Sequence, residues 1–265
     1  MSQSLTQSPI LEIACFNQES AVVAARAGAD RIELCKDYNR GGLSPDSEVL
    51  QKLRSQLTIP IYTMIRPHAE DFCYEKFDFE IMKQTLKSLK YYGADGFVFG
   101  ILTGSSQIGC DPNGSWVDVP RNKQLIKLAE GLPCTFHRAF DLIPESHWER
   151  ALADIMECGF ASILTNGGPS GTKATECVDK LQTLVRFQTQ LQGRRKLQSH
   201  KVPEIIVGGG VRASNIGMLH MITGAKTFHS ASLFASEEVT YAVEVSKMKD
   251  EISRARQEEE GEQAR

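Results

Sequence analysis

The stretch QESAVVAARAGADRIELC, residues 18–35, passes from a helical pattern through a glycine into a short apolar strand pattern. Glycine is favoured where a helix ends, because it adopts the left-handed backbone conformation without steric cost. The same succession recurs at YGAD (92–95), ECGFA (157–161) and TGAK (223–226). Repeated helix–glycine–strand units with short connections predict parallel strands that alternate with helices.

Eight short apolar, β-branched runs follow this alternation and are predicted to be strands. They lie at 11–15, 31–35, 59–66, 96–102, 134–140, 161–167, 204–210 and 226–232. Eight β/α units in a chain of this length predict a closed (β/α)8 TIM barrel, with a doubly wound open sheet as the alternative.

The predicted organisation is a single barrel domain with short flanking segments. An N-terminal arm covers 1–10, the TIM-barrel domain covers 11–235, and a C-terminal helix with a charged tail covers 236–265. A loop at 103–120 that is rich in Gly, Ser, Asn and Pro follows the fourth strand. We expect this loop on the face where such barrels carry their function.

The composition of the chain limits the classes of function. The 265 residues carry a formal net charge of -3, which argues against nucleic acid as the main partner. The chain shows no signal-like segment and no apolar run of about 20 residues, so we expect neither secretion nor a membrane span. Seven cysteines without a CxxC pair predict reduced thiols, and hence a cytoplasmic protein with the nucleus as a second compartment.

Polar and charged side chains are predicted to meet at the carboxyl ends of the strands, where barrel enzymes keep their chemistry. Alternation along each strand assigns these residues to the barrel interior: Glu12, Glu33, Cys35, Arg66, His137, Thr165 and His229. Arg138 and Asp141 follow directly after the fifth strand. Either these charges form a structural ion-pair network, or they form a catalytic site. The combination of residue types favours a site, with Glu12 or Glu33 beside a histidine as an acid–base pair and Arg66 as an electrostatic clamp.

A glycine-rich turn follows the seventh strand in IIVGGGVRASNIGML (205–219). Gly208, Gly209 and Gly210 end the strand, and Ser214 is predicted to cap the next helix. Glycines and a helix N-terminus together favour an anion, so this turn is a candidate phosphate site. The alternative is that the glycines only permit a tight strand-to-helix turn.

Two cysteines end neighbouring strands, Cys15 on the first and Cys35 on the second. Soft thiolates select Cu(I) over hard cations, so the pair is a candidate metal site. Alternation directs Cys35 into the barrel but Cys15 towards the helices, unless the first strand ends at Ala14.

Several motifs in one order resemble the CutC copper-homeostasis family. They are LEIAC, AGADRIELC followed by GGLSP, MIRP followed by DFCY, GADGFVFGILT, TFHRAFD, ILTNGG, and GGGVRASNI with FHSAS. The resemblance implies a cytoplasmic (β/α)8 barrel with a role in copper tolerance and trafficking. It further implies Cu(I) binding through Cys15 and Cys35, and a homo-oligomer, either a dimer or a tetramer.

Two functions therefore stand as hypotheses. One is a copper-homeostasis protein that binds Cu(I) through its strand-end cysteines. The other is a TIM-barrel enzyme that uses the Glu/Arg/His cluster on a small phosphorylated or hydroxylated molecule. The sequence leaves open whether the protein is an enzyme.

Overall fold

The computed structural model describes residues 8–104, 116–194, 201–233 and 239–263. Eight parallel strands close into a barrel in sequence order, and the last strand pairs with the first. This closure confirms the predicted TIM barrel, because an open doubly wound sheet would leave two free edges. The strands are β1 (Ile10–Cys15), β2 (Arg31–Leu34), β3 (Ile61–Met64), β4 (Gly96–Phe99), β5 (Cys134–Phe136), β6 (Ser162–Thr165), β7 (Glu204–Val207) and β8 (Thr227–Ser230).

A helix follows each strand within the described part of the chain. The helices are α1 (Gln18–Arg26), α2 (Ser47–Arg54), α3 (Lys76–Tyr91), α4 (Val119–Ala129), α5 (Trp148–Cys158), α6 (Val178–Arg194), α7 (Ile216–Thr223) and α8 (Ala242–Gln263). Gly159 and Gly224 end α5 and α7 in the left-handed conformation, with φ of 94° and 70°. The recurring glycines therefore have the role that the sequence predicts, which is to turn each helix back towards the next strand.

The main apolar core lies between the barrel wall and the helices. Outward-facing strand residues such as Ile13, Ile32 and Phe136 are fully buried there. A second, smaller cluster of Cys35, Met64 and Val98 lies inside the barrel. The barrel wall thus has two distinct faces, and strand alternation decides which face each side chain occupies.

The register between strands corrects one predicted orientation. Thr135 on β5 pairs with Ser162 on β6, so Ser162 and Leu164 face inward and Thr165 faces the helices. Alternation within one strand defines two sets of residues, but only the pairing with a neighbour shows which set is inside. Thr165 was predicted to face inward; instead its hydroxyl donates to Asp141 at 2.6 Å.

Some predicted segments lie outside the described residues. These are residues 1–7 of the N-terminal arm, 105–115 of the long loop, and the end of the charged tail. Helix α8 packs against α7 and α1 and so closes the outer ring of helices. The division of the chain at residues 11 and 236 stays a prediction. Among the described residues, no helix combines the length and the apolar character that crossing a membrane requires.

Candidate functional site

The carboxyl ends of the strands surround a cavity of about 190 Å³ at the mouth of the barrel. Of the predicted site residues, Glu33, Cys35, Arg66, His137 and His229 line this cavity. Aromatic side chains complete its wall, namely Phe16, Tyr38 and Phe72. The structure therefore brings most of the predicted cluster into one enclosed space.

Glu12 lies below the cavity and is fully paired. Its side chain is 0% exposed, and its two oxygens accept from Arg31 Nε at 2.5 Å and from His229 Nδ1 at 2.7 Å. Burial alone would raise the pKa of this carboxyl, but the charge of Arg31 and the contact with His229 lower the pKa to about 2. Glu12 is therefore an ionised carboxylate, and His229 carries a proton on Nδ1.

Glu33 lies above Glu12 and is only partly paired. Its Oε1 accepts from Cys35 Sγ at 3.4 Å, whereas its buried Oε2 has no hydrogen-bond partner among the described residues. Burial raises the pKa of Glu33, and the nearby charge of Glu12 adds to that effect, while His229 opposes it. For His229, burial lowers the pKa, but Glu33 and Glu12 outweigh this and raise it. Two acid–base groups with shifted pKa values thus share one wall of the cavity.

His137 follows β5 and presents one ring nitrogen without a partner. The backbone N–H of Ala139 donates to Nδ1 at 3.3 Å, so the neutral ring carries its proton on Nε2. That Nε2 is buried and has no partner among the described residues. Burial and the charge of Arg66 lower the pKa of His137 to about 3, so the ring is neutral at physiological pH. Gly100 makes room for the ring, because a Cβ there would lie 2.9 Å from Nδ1.

Arg138 is held in place by Asp141. Its Nε donates to Asp141 at 2.7 Å, and Asp141 also accepts from the Thr165 hydroxyl at 2.6 Å and the Asn166 backbone N–H at 3.2 Å. The Nη2 of Arg138 is buried without a partner among the described residues. Asp141, at the end of the TFHRAFD motif, thus orients the Arg138 guanidinium at the cavity wall.

Arg66 donates most of its hydrogen bonds to backbone carbonyls, and its role as an electrostatic clamp stays a prediction. Its Nη1 donates to the carbonyls of residues 40–42 and its Nη2 to those of Ala69 and Glu70, at 3.0–3.4 Å. The guanidinium also lies 4.8 Å from the ring centre of Phe72. Arg66 therefore holds two loops over the cavity, and only its Nε remains without a partner in the described structure.

The two candidate copper ligands lie on opposite faces of the barrel wall. Cys35 lines the cavity, whereas Cys15 faces the helices, where its Sγ lies 3.9 Å from the Thr240 hydroxyl. Strand β1 continues through Cys15, so alternation along the strand holds to its end. Burial raises the pKa of both thiols, and Glu33 adds to the effect at Cys35. Their joint role in Cu(I) binding stays a prediction.

The glycines after β7 are explained by close packing. A Cβ on Gly208 would lie 2.7 Å from Leu164, and one on Gly209 would lie 2.8 Å from Asn166. Gly209 and Gly210 have φ of +91° and +74°, which other residues rarely adopt. These observations favour the interpretation of the glycines as a tight turn.

The helix after this turn begins one residue later than predicted. Asn215, not Ser214, occupies the N-cap position of α7. The N–H of Ala213 already donates to the carboxylate of Glu244 at 2.7 Å. A negative charge from the protein itself therefore lies beside this helix end. The anion site at Gly208, Gly209, Gly210 and Ser214 stays a prediction.

Glu12, Glu33 and His229 could in principle hold a metal ion, since one ligand atom of each lies within 4.8 Å of the others. Glu12 is already bonded to the charged Arg31, and His229 Nδ1 is bonded to Glu12. Carboxylates are hard ligands, whereas Cu(I) prefers sulfur. This trio therefore does not fit Cu(I).

Arg31 is the residue that the sequence analysis missed. It pairs with Glu12 across neighbouring strands, and its guanidinium lies 4.4 Å from the ring centre of Tyr62. Arg31 shares the inward face of β2 with Glu33 and Cys35, so the same alternation could have identified it.

The closed parallel barrel and the polar cavity at the carboxyl ends of its strands define a TIM-barrel protein with a ligand-type site. A profile of the CutC family matches residues 9–233. The chain belongs to the CutC family, as its motifs predicted.

Relatives and solved structures agree with this membership. A family protein CutC from Photorhabdus laumondii is 37% identical over 231 residues, which cover 87% of this chain and 83% of that protein. The human copper homeostasis protein cutC homolog is 34% identical over 223 residues, covering 84% of this chain and 73% of that protein. A CutC crystal structure from Streptococcus agalactiae has a TM-score of 0.72 at 28% identity, covering 84% of this chain and 98% of that chain.

Enzymes also share the fold. Phosphoribosyl anthranilate isomerase from Thermotoga maritima has a TM-score of 0.59 at 14% identity, covering 93% of this chain and 99% of that chain. At this identity the likeness shows the barrel alone, and any function must be argued from the site.

Proposed function

We propose that the barrel mouth is the active site of an enzyme that performs acid–base chemistry on a small anionic or hydroxylated molecule. One observation carries this proposal. Glu33 Oε2, His137 Nε2 and Arg138 Nη2 are all buried, all without partners in the described structure, and all belong to residues that line one cavity. Buried polar atoms are nearly always hydrogen-bonded, so a cluster of unpaired ones around a cavity indicates a polar ligand that completes them.

The size and charge of the cavity support a small anionic or hydroxylated ligand. Its volume of about 190 Å³ is below the range of typical drug-sized pockets. Arg138 supplies a guanidinium donor, which favours a carboxylate, a phosphate or a polarised oxygen. Glu33 and His229 supply groups that can exchange a proton. A role in copper homeostasis would then be an indirect consequence of the reaction.

Direct Cu(I) binding is the second candidate function. The family's human member is named for copper homeostasis, and the Cys35 thiol lines the cavity. Cys15 lies on the outer face of the wall, so the inner thiol is the better supported of the two ligands. This second function makes copper the cargo of the barrel mouth and requires no turnover.

Location, assembly and partners remain expectations of the composition and of the family resemblance. We expect a cytoplasmic protein that forms a homo-oligomer, either a dimer or a tetramer, and that binds neither nucleic acid nor a membrane. Light scattering of the purified protein and fractionation of cells check these expectations. A monomer or a membrane-bound fraction would contradict them.

The test of the enzyme proposal is ligand-dependent thermal unfolding. The compounds are dihydroxyacetone phosphate, pyruvate, sorbitol 6-phosphate and tartrate, which present phosphate, carboxylate and hydroxyl groups in different combinations. A compound at 100 times its dissociation constant stabilises the folded protein by about 2.7 kcal/mol. For a domain of this size, that corresponds to a rise in melting temperature of about 5–10 °C.

The variants Glu33→Gln and Arg138→Gln should lose most of that rise. Lys123→Gln is the matched control, because Lys123 forms an exposed ion pair with Glu157 on the outside of the barrel. An equal rise in all of these proteins would place the binding elsewhere. The absence of any rise across the four compounds would contradict the proposal.

A further inference from the structure

The cavity has a hydrogen-bond donor side and an acceptor side. In the closed ring of eight strands, β5 lies opposite β1, and β2 and β8 flank β1. His137 and Arg138 follow β5, whereas Glu33 lies on β2 and His229 on β8. Strands β5 and β2 are three places apart in the ring, so His137 and Arg138 reach the mouth from a different part of the wall than Glu33.

The two histidines carry their protons on different nitrogens, and backbone or carboxylate partners determine which. At His137 the Ala139 N–H occupies Nδ1, which leaves Nε2–H as an uncharged donor. At His229 the Glu12 carboxylate occupies Nδ1 and holds a proton there. Each ring is thus locked by a partner that is not part of the cavity wall, because neither Ala139 nor Glu12 lines the cavity.

The donor side offers two hydrogen-bond donors to a ligand in the cavity. His137 Nε2–H and Arg138 Nη2 come from adjacent residues, and both lack partners in the described structure. A neutral imidazole donor together with a guanidinium is suited to an oxygen that gains negative charge during a reaction. Asp141 restrains Arg138 through its Nε and leaves Nη2 available for this contact.

The acceptor side offers Glu33 Oε2, and Glu12 is not available for the same role. Glu12 has both oxygens bonded and no exposed surface, so it cannot reach a ligand. It instead holds His229 beside Glu33, with Nδ1 at 4.0 Å from Oε2. A pair of carboxylates acting together on a glycosidic bond is excluded by this arrangement, because only one of the two lines the cavity.

We infer that the substrate is a small carbonyl compound, whose carbonyl oxygen lies between His137 Nε2 and Arg138 Nη2, and that Glu33 Oε2 takes a proton from the adjacent carbon. This inference rests on the proposed enzymatic function. The C–H electron pair forms a carbon–carbon double bond, the carbonyl π pair moves to oxygen, and the proton forms an O–H bond on Glu33. The two donors stabilise the resulting enolate. Return of the proton to the same carbon completes an exchange. Where that carbon bears a hydroxyl group, the hydroxyl proton moves to the former carbonyl oxygen, and return of the carbon-bound proton to the former carbonyl carbon completes an isomerisation, without a cofactor.

The first test determines which ring nitrogen of His137 carries the proton, and it needs no ligand. Long-range ¹H–¹⁵N correlation spectra of the ¹⁵N-labelled protein separate protonated from unprotonated ring nitrogens. We expect His137 to carry its single proton on Nε2. A His137 ring with its proton on Nδ1, or with both nitrogens protonated at neutral pH, would overturn the inference.

Proton exchange provides the second test. Dihydroxyacetone phosphate and pyruvate are incubated with the protein in D₂O, and ¹H NMR follows deuterium incorporation at the carbon next to the carbonyl. Glu33→Gln should slow the exchange by roughly 10²–10⁴-fold, as expected for a general base. His137→Gln should slow it by roughly 10²–10³-fold, as expected for one donor to an oxyanion. Lys123→Gln, prepared in the same way, should match the wild type.

Sorbitol 6-phosphate separates this inference from the proposed function, because it has hydroxyl and phosphate groups but no carbonyl. If it stabilises the protein through Glu33 and Arg138 while neither carbonyl compound exchanges, the carbonyl assignment is wrong and the small-molecule site stands. If none of the compounds binds and none exchanges its proton, the proposed function and the carbonyl assignment are both wrong. Exchange that persists unchanged in Glu33→Gln would also overturn the inference.

Discussion

The floor and the mouth of the barrel both contain buried charges, but they differ in how those charges are paired. At the floor, both oxygens of Glu12 are bonded, one to Arg31 and one to His229. At the mouth, Glu33 and His137 each keep a buried polar atom without a partner in the described structure. Arg31 Nη2 at the floor also has no partner in the described structure, but Arg31 does not line the cavity, whereas the unpaired atoms of the mouth belong to residues that do. Unpaired atoms around a cavity are typical of a binding site. The barrel thus has a charge pair at its floor and a ligand-type cavity above it.

Strand register explains the difference. Glu12 and Arg31 are register partners on neighbouring strands, so they meet on the inner face of the wall. The unpaired groups of the mouth come from β2 and from the end of β5, which are not neighbouring strands, and they belong to residues that line the cavity. Charges on adjacent strands can neutralise one another, but charges that are separated by a cavity need a ligand or a counter-ion between them.

The largest expected effect is at the floor. Glu12→Gln removes the carboxylate that pairs directly with the buried Arg31, so we expect the free energy of unfolding to fall by about 3–5 kcal/mol. Asp46→Asn is the control, because it removes an ion pair with Lys36 that is exposed and should cost less than about 1 kcal/mol. Urea unfolding of the three proteins measures both. Similar losses in the two variants would remove the distinction between floor and surface.

The next effect concerns pH and His137. Burial and the charge of Arg66 lower its pKa from 6.5 to about 3, so the unfolded chain binds a proton before the folded protein does. His137 therefore leaves the free energy of unfolding undiminished at pH values above the pKa of the unfolded chain. It lowers the free energy of unfolding as the pH falls towards 3. Between about pH 7.5 and about pH 4.5, the titration of His137 should lower the free energy of unfolding by about 3 kcal/mol.

The variant His137→Gln cannot take up this proton and should lose correspondingly less stability over the same range. Glu12 also has a lowered pKa, but its contribution is lost mainly below about pH 4.5 and is common to both proteins. Unfolding curves at the two pH values give the comparison. Equal losses in wild type and variant would mean that His137 titrates normally.

A smaller effect distinguishes the two faces of the barrel wall. If Cu(I) binds at the mouth, Cys35→Ser should weaken the affinity at least tenfold, or about 1.4 kcal/mol, measured against a competing chelator. Cys15→Ser should leave the affinity unchanged, because that thiol lies among the helices. The opposite pattern would move the copper site to the outer face. Equal loss in both variants would restore the two-cysteine site.

The smallest effect on stability is expected at the mouth. Glu33→Gln and His137→Asn should each change the free energy of unfolding by no more than about 1 kcal/mol at neutral pH, since neither removes a fully paired partner. Both should abolish ligand binding or proton exchange. A large loss of stability in both, with binding intact, would make the mouth a second structural plug.

Much of the site was accessible from local patterns. Alternation along single strands correctly placed Glu33, Cys35, His137 and His229 inside the barrel. It failed for Thr165, because the register with β5 determines which face of β6 is inside. Arg66 was also placed at the mouth, but its carbonyl partners were not predicted, because they belong to loops whose path no strand pattern predicts.

The amino-acid sequence by itself determined the eight β/α units, the closed barrel and the family, because these depend on periodicity and on motifs that are local along the chain. Only the tertiary structure decided which charges are paired, which atoms remain unpaired, and on which face each cysteine lies. Hydrogen-bond partners are set by register and loop position, which bring together residues that are far apart in sequence, such as Glu12 and His229. The distinction between a plug and a binding site depends on those partners, so it becomes visible only in three dimensions.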